Sequence, residues 1–120
     1  MHVLIVEDER IIAQRLRRLL LDVAADEITR LDVSPPLDAA RAYLGLSSPD
    51  VVFLDLNLNG EDGFDLLRAT VSESFHTVVV SAHTERALEA FEVGVLDFVP
   101  KPIGAERLRT TLERLCGTRA

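Results

Sequence analysis

The spacing of apolar positions changes several times along this chain, and each change predicts an element. "HVLIV" (His2 to Val6) is a short β-branched run. After it Ile12, Leu16, Leu19, Leu20 and Val23 recur at helical spacing while Arg15, Arg17 and Arg18 fall off that stripe, so a strand is followed by a helix from about Glu9 to about Val23. "EITRLDV" (Glu27 to Val33) alternates apolar with polar, as a half-covered edge strand does, and Ser34 and Pro35 then supply an N-cap and a first-turn proline for a second helix ending near Gly45. "DVVFLD" (Asp50 to Asp55) and "HTVVVSA" (His76 to Ala82) are continuous apolar runs, the mark of central strands covered on both faces. They bracket a third helix starting near Asp62. "ERALEAFEVG" reads as a fourth helix stopped by Gly94, "VLDFV" (Val95 to Val99) as a fifth strand, and Ile103, Leu108, Leu112 and Leu115 as the buried stripe of a fifth helix. Strand and helix alternate five times, which predicts an α/β fold: a (βα)5 doubly wound, five-stranded parallel sheet.

Such sheets bind ligands outside the carboxyl ends of their strands, where the strand order reverses. Glu7, Asp8 and Glu9 follow strand one, Asp55 and Asn57 strand three, Ser81 strand four and Lys101-Pro102 strand five. An ionised Asp55 closing the apolar run Val51 to Leu54 is costly unless it is paired or has a task. Crowded carboxylates must take up a proton or hold a cation, and oxygen-only ligands with open positions suit Mg²⁺. Lys101 is the only lysine beside twelve arginines. A compact charge on a flexible stem suits a place beside a phosphoryl oxygen.

Composition narrows the choice. At 120 residues with 48% apolar content the chain is long enough for one domain and too short for two. The longest apolar runs are too short for a membrane span, and no signal peptide precedes the first strand, so a soluble cytoplasmic chain is expected. The single Cys116 cannot form an internal disulfide. A net charge of −7 argues against nucleic acid or an anionic membrane as a partner of this domain.

"VLIVEDE", "DVVFLDLNLNGEDG", "VVVSA" and "DFVPKPI" resemble, in order and spacing, the receiver domain of bacterial two-component response regulators. "ALEAFEVGVLDFVPKPI" is most similar to receivers that precede a LytTR-type DNA-binding domain. The resemblance implies a flavodoxin-like strand order 2-1-3-4-5, with residues 1–120 forming the receiver and the output domain outside this chain. It implies Asp55 as phosphoacceptor, Asp8 as a direct Mg²⁺ ligand, Glu7 acting through metal-bound water, and Asn57 offering its backbone carbonyl. Lys101 would neutralise the phosphoryl group, Ser81 would hydrogen-bond to it, and Ala82 would leave the approach clear. Phe98 would be the aromatic switch, moving from the surface into space that the Ser81 loop vacates. A cis Lys101-Pro102 bond is implied too. The partner would be a sensor histidine kinase. Phosphorylation would promote a homodimer through the fourth-helix, fifth-strand and fifth-helix face, and the chain would be a signalling switch rather than an enzyme with turnover.

The chain departs from the family pattern at several points. Leu58-Asn59 stands where many receivers have Met-Pro, although Asn59-Gly60 is a strong turn pair by itself. Phe98 replaces the familiar Tyr, so its movement would rest on packing alone. Other functions stay open on the residues. An aspartyl phosphohydrolase also uses Mg²⁺ and a strand-end Asp, but Asn57 stands where its second carboxylate belongs. A flavin or nucleotide binder on this fold would need a phosphate-receiving first loop, which "VEDER" would repel. A protein-binding pseudo-receiver would not need all the site positions filled. His83 is read as a solvated loop histidine ahead of a contact with the phosphoryl site or a partner, His2 and His76 as structural or solvent-facing, and Phe91, Val93, Val95 and Phe98 as core or partner surface.

Overall fold

The computed structural model describes residues 1–33, 49–58, 61–71 and 75–118. Five strands form one parallel sheet: β1 (His2–Val6), β2 (Arg30–Val33), β3 (Val51–Leu54), β4 (His76–Ser81) and β5 (Asp97–Pro100), in the order β2-β1-β3-β4-β5. The described helices are α1 (Arg10–Ala24), α2 (Phe64–Val71), α3 (Ala87–Val93) and α4 (Ala105–Thr118). The helix expected between Pro35 and Gly45 and the Asn59-Gly60 turn lie outside the described residues.

The continuous apolar runs are explained by the two-residue alternation of a strand. Val3, Ile5, Val51, Phe53, Val78, Val80 and Val99 pack on one face with Ala13, Leu16 and Leu20 of α1 and Leu108, Leu112 and Leu115 of α4. Leu4, Val6, Val52, Leu54, Val79 and Phe98 pack on the other with Phe64 and Leu67 of α2 and Ala90 of α3. Full burial of each such side chain is worth about 1.5–3 kcal/mol, so the two layers together fix where the strands end.

Several boundaries shift for local reasons. Glu27 and Ile28 do not join β2, because their amides bond the Ala24 carbonyl and finish the turn after α1. Glu61–Asp62 pairs antiparallel with Asn57–Leu58, which delays α2 to Phe64. At Gly63 an added Cβ would lie 2.8 Å from the Leu56 carbonyl oxygen, so only glycine fits this close approach. The fourth helix begins as a 3-10 turn at Thr84–Arg86 and ends at Gly94, whose φ of 118° is the left-handed cap expected of it.

Pro100 lies at the open edge of the sheet. The Lys101 amide donates to the Ser81 carbonyl at 3.0 Å, so by the alternation of a ladder the Pro100 nitrogen points away from β4 and its missing N–H costs no sheet bond. On the same edge Phe98 is occupied from both sides. Its N–H donates to Asp97 Oδ1 at 2.9 Å, and its carbonyl accepts from Arg107 Nη2 at 3.0 Å.

Candidate functional site

The alternation that sends Ile5, Phe53 and Val99 to the α1–α4 face continues past the strand ends and brings Glu7, Asp55 and Lys101 together. Lys101 Nζ donates to Glu7 Oε1 at 2.7 Å and to Asp55 Oδ2 at 3.2 Å. Both carboxylates are sunk into the rim, Asp55 at 4% exposure and Glu7 at 8%. Burial, together with the neighbouring Asp55 carboxylate, pushes Glu7 up to about 8 against the opposing pull of Lys101. For Lys101, burial would lower the ammonium, but the hydrogen bond and charge of Glu7 and the charge of Asp55 hold it above its usual value.

One oxygen from each of Glu7, Asp8 and Asp55 lies within 4.8 Å of the other two. Glu7 Oε2 is buried and has no hydrogen-bond partner. Buried oxygens are normally satisfied, so an orphan in an all-oxygen cluster fits the demand of a hard divalent cation such as Mg²⁺. Asn57, two residues beyond Asp55, starts the short ladder by pairing with Asp62.

Ser81 ends β4 fully buried, and its Oγ accepts from the His83 N–H at 3.0 Å. That bond leaves the hydroxyl proton available for another acceptor. Ala82 is exposed beside it. The Lys101-Pro102 bond is cis, as expected. Phe98 differs from expectation. It is only 6% exposed and belongs to the core cluster with Val79 and Ala90, so its ring is already inside rather than waiting at the surface. The reason is its place on β5, opposite Val79, where alternation aims it into the α2–α3 layer.

A buried cluster went unread in the sequence. Asp97, fully buried in β5, accepts from Arg107 Nη1 and Nη2 at 2.8 Å each, from Thr111 Oγ1 at 2.7 Å and from Arg114 Nη1 at 2.7 Å. The readable signal was spacing: residues 107, 111 and 114 share one helix face, and an Asp inside an apolar strand requires such partners.

The family model for the response regulator receiver domain matches residues 3–113. The chain belongs to the response regulator receiver family. Among its relatives, the sensory transduction protein LytT of Bacillus subtilis (strain 168) is 34% identical over 116 residues, covering 95% of this chain and 47% of that protein. LytT of Bacillus cereus is 32% identical over 114 residues, covering 93% and 46%. This receiver thus spans about half the length of the curated relatives it matches. The response regulatory domain of mrkE from Klebsiella pneumoniae superposes with a TM-score of 0.84 at 29% identity, over 98% of this chain and 97% of that one. The receiver domain of NtrX from Brucella abortus superposes with a TM-score of 0.77 at 32% identity, over 97% and 98%. Among the described residues no helix is long and apolar enough to cross a membrane.

Proposed function

We propose that this receiver accepts a phosphoryl group on Asp55 from a phosphohistidine of a sensor kinase, in a Mg²⁺-dependent reaction, and passes the change to an output region that regulates transcription. The observation that carries this reading is the rim itself, where a buried strand-end carboxylate lies within reach of one ammonium and of two further carboxylates. In the transfer the P–N bond of the donor histidine breaks as Asp55 forms a P–O bond, and the carboxylate is the nucleophile. Asp8, Asp55 and the Asn57 carbonyl would hold the cation, with Glu7 acting through its water. Bound there, Mg²⁺ would supply charge neutralisation for the phosphoryl oxygens. Lys101 follows the developing charge on its flexible stem, and the Ser81 hydroxyl proton turns towards the new dianion. Ala82 leaves the approach open.

A second copy is the proposed partner of the α3–β5–α4 face once Asp55 is phosphorylated. Leu88 and Phe91 of α3 stand 71% and 46% exposed there. With Phe98 already packed, the switch rests on Ser81 drawing its loop and α3 inward rather than on a ring swinging in from solvent.

Incubation with acetyl phosphate and Mg²⁺, followed by intact mass, tests the acceptor. One phosphoryl adduct is expected, absent without the metal and absent in Asp55→Asn. An adduct that persists in Asp55→Asn sinks the assignment.

A further inference from the structure

We propose that Arg15 is a positioning residue, fixing Lys101 over the acceptor by clamping the backbone of the turn between β5 and α4. Arg15 Nη2 donates to the Ile103 carbonyl at 2.9 Å, a contact between residues 88 positions apart. At the far end of the turn the Gly104 carbonyl accepts from the Leu108 N–H at 3.1 Å. The turn's first residue is tied by the Lys101 amide to the Ser81 carbonyl. The Ile103 side chain is sunk in the α1–α4 core. Pro102 and Gly104 are exposed, and a Cβ built on Gly104 meets nothing within 4 Å, so no packing braces that end of the turn.

The chemistry explains why a brace is needed. Lys101 reaches two acceptors at once through a long flexible stem, and the entropy lost in holding it there is recovered only if its backbone is already still. A charge-assisted bond to the carbonyl two residues on supplies that stillness. Displacement of a reacting group by about 1 Å can cost about a hundredfold in rate, so a clamp well away from Asp55 still acts on the reaction. Arg15 itself is exposed and lies off the buried stripe of α1, which separates this role from core packing.

The inference relies on the phosphoacceptor reading for what Lys101 does, but not for where it is held. Because Lys101 is the sole lysine, lysine-selective labelling gives one side-chain signal, readable in the metal-free protein without any phosphodonor. Arg15→Met is expected to move that signal towards free lysine and to speed exchange of its ammonium protons by about three- to tenfold, the loss of one partly exposed charge-assisted bond. Arg17→Met, which removes the same charge from an exposed position two residues on, is expected to leave it in place. An unmoved signal in Arg15→Met, or the same change in both variants, overturns the proposal. With acetyl phosphate, Arg15→Met should slow labelling of Asp55, and adding it to Lys101→Met should cost nothing more. Losses that multiply in the double variant also overturn it, whereas failure of Asp55 labelling in the wild type counts against the acceptor reading alone.

Discussion

Lys101 stands closer to Glu7, at 2.7 Å, than to Asp55, at 3.2 Å. The ammonium is therefore engaged first with the acid that follows β1 and only second with Asp55. It bridges the two buried acids, and in the proposed function a divalent ion would bind against its charge.

Lys101→Met is accordingly expected to tighten Mg²⁺ binding by about three- to tenfold, since a unit positive charge a few ångströms from the ion is removed at intermediate dielectric. Metal titration by calorimetry or fluorescence measures it. Weaker binding in the variant would mean that the ammonium organises the carboxylates more than it repels the ion.

Asp8→Asn is expected to weaken Mg²⁺ binding by about tenfold or more, and Glu7→Gln by clearly less, because in the proposed site the first would remove a direct charged ligand and the second a water-mediated one. Equal losses would show that the two acids share one role.

Asp97 is expected to contribute to the loss of stability in acid. Its burial would raise the carboxyl, but hydrogen bonds from Arg107, Thr111 and the Phe98 N–H, with the charge of Arg107, outweigh this and hold it below the usual value. A carboxyl depressed in the folded state contributes stability that is complete above its unfolded value, about 4, and lost as the pH falls through the folded one. Denaturant unfolding between neutral pH and pH 2 should show the wild type losing stability in that window. Asp97→Asn should start lower at pH 7 by about 1–3 kcal/mol, discounted because both arginines can reach water, and should fall less in acid.

Gly63→Ala is expected to cost about 1–3 kcal/mol, since the added carbon meets backbone that cannot rotate away. The residue immediately precedes α2 and donates to the Leu56 carbonyl at 2.6 Å. The same change should therefore also slow phosphorylation at Asp55, read as the rate of mass gain with acetyl phosphate.

Phe91→Ser should leave labelling of Asp55 unchanged while weakening any dimer formed with beryllofluoride by about tenfold, the worth of one partly exposed aromatic contact. Ser81→Ala should weaken it as well, but by cutting the link to the acceptor. Sedimentation of both variants with and without the mimic separates surface from switch. Undiminished association in Phe91→Ser would rule out this face.

Period and strand-end chemistry were readable because they are local. Continuous against alternating apolar runs gave the central and edge strands, and the residues after each run gave Glu7, Asp55, Ser81 and Lys101. What could not be read were interactions between distant side chains. Asp97 looked like one polar residue in an apolar strand because its partners lie 10 to 17 residues on, along the next helix. Arg15 looked like one of several solvated arginines because its acceptor is a backbone oxygen, which leaves no trace in residue type. The inward side of Phe98 follows from alternation with Val99 and agrees with its reading as core, while its expected place at the surface came only from the family resemblance.

The outer edge of β5 offers another chain no free N–H at Phe98 or Pro100. The Phe98 amide is taken by Asp97, its carbonyl by Arg107, and Pro100 has no proton to give. An unguarded border strand invites continuous β pairing, which is slow to undo and prone to run on into fibres. Here the carboxylate and guanidinium stand in for the missing neighbour. Any association on this side must then be made largely by side chains, the kind of contact that the proposed phosphorylation-controlled dimer would have to make and release.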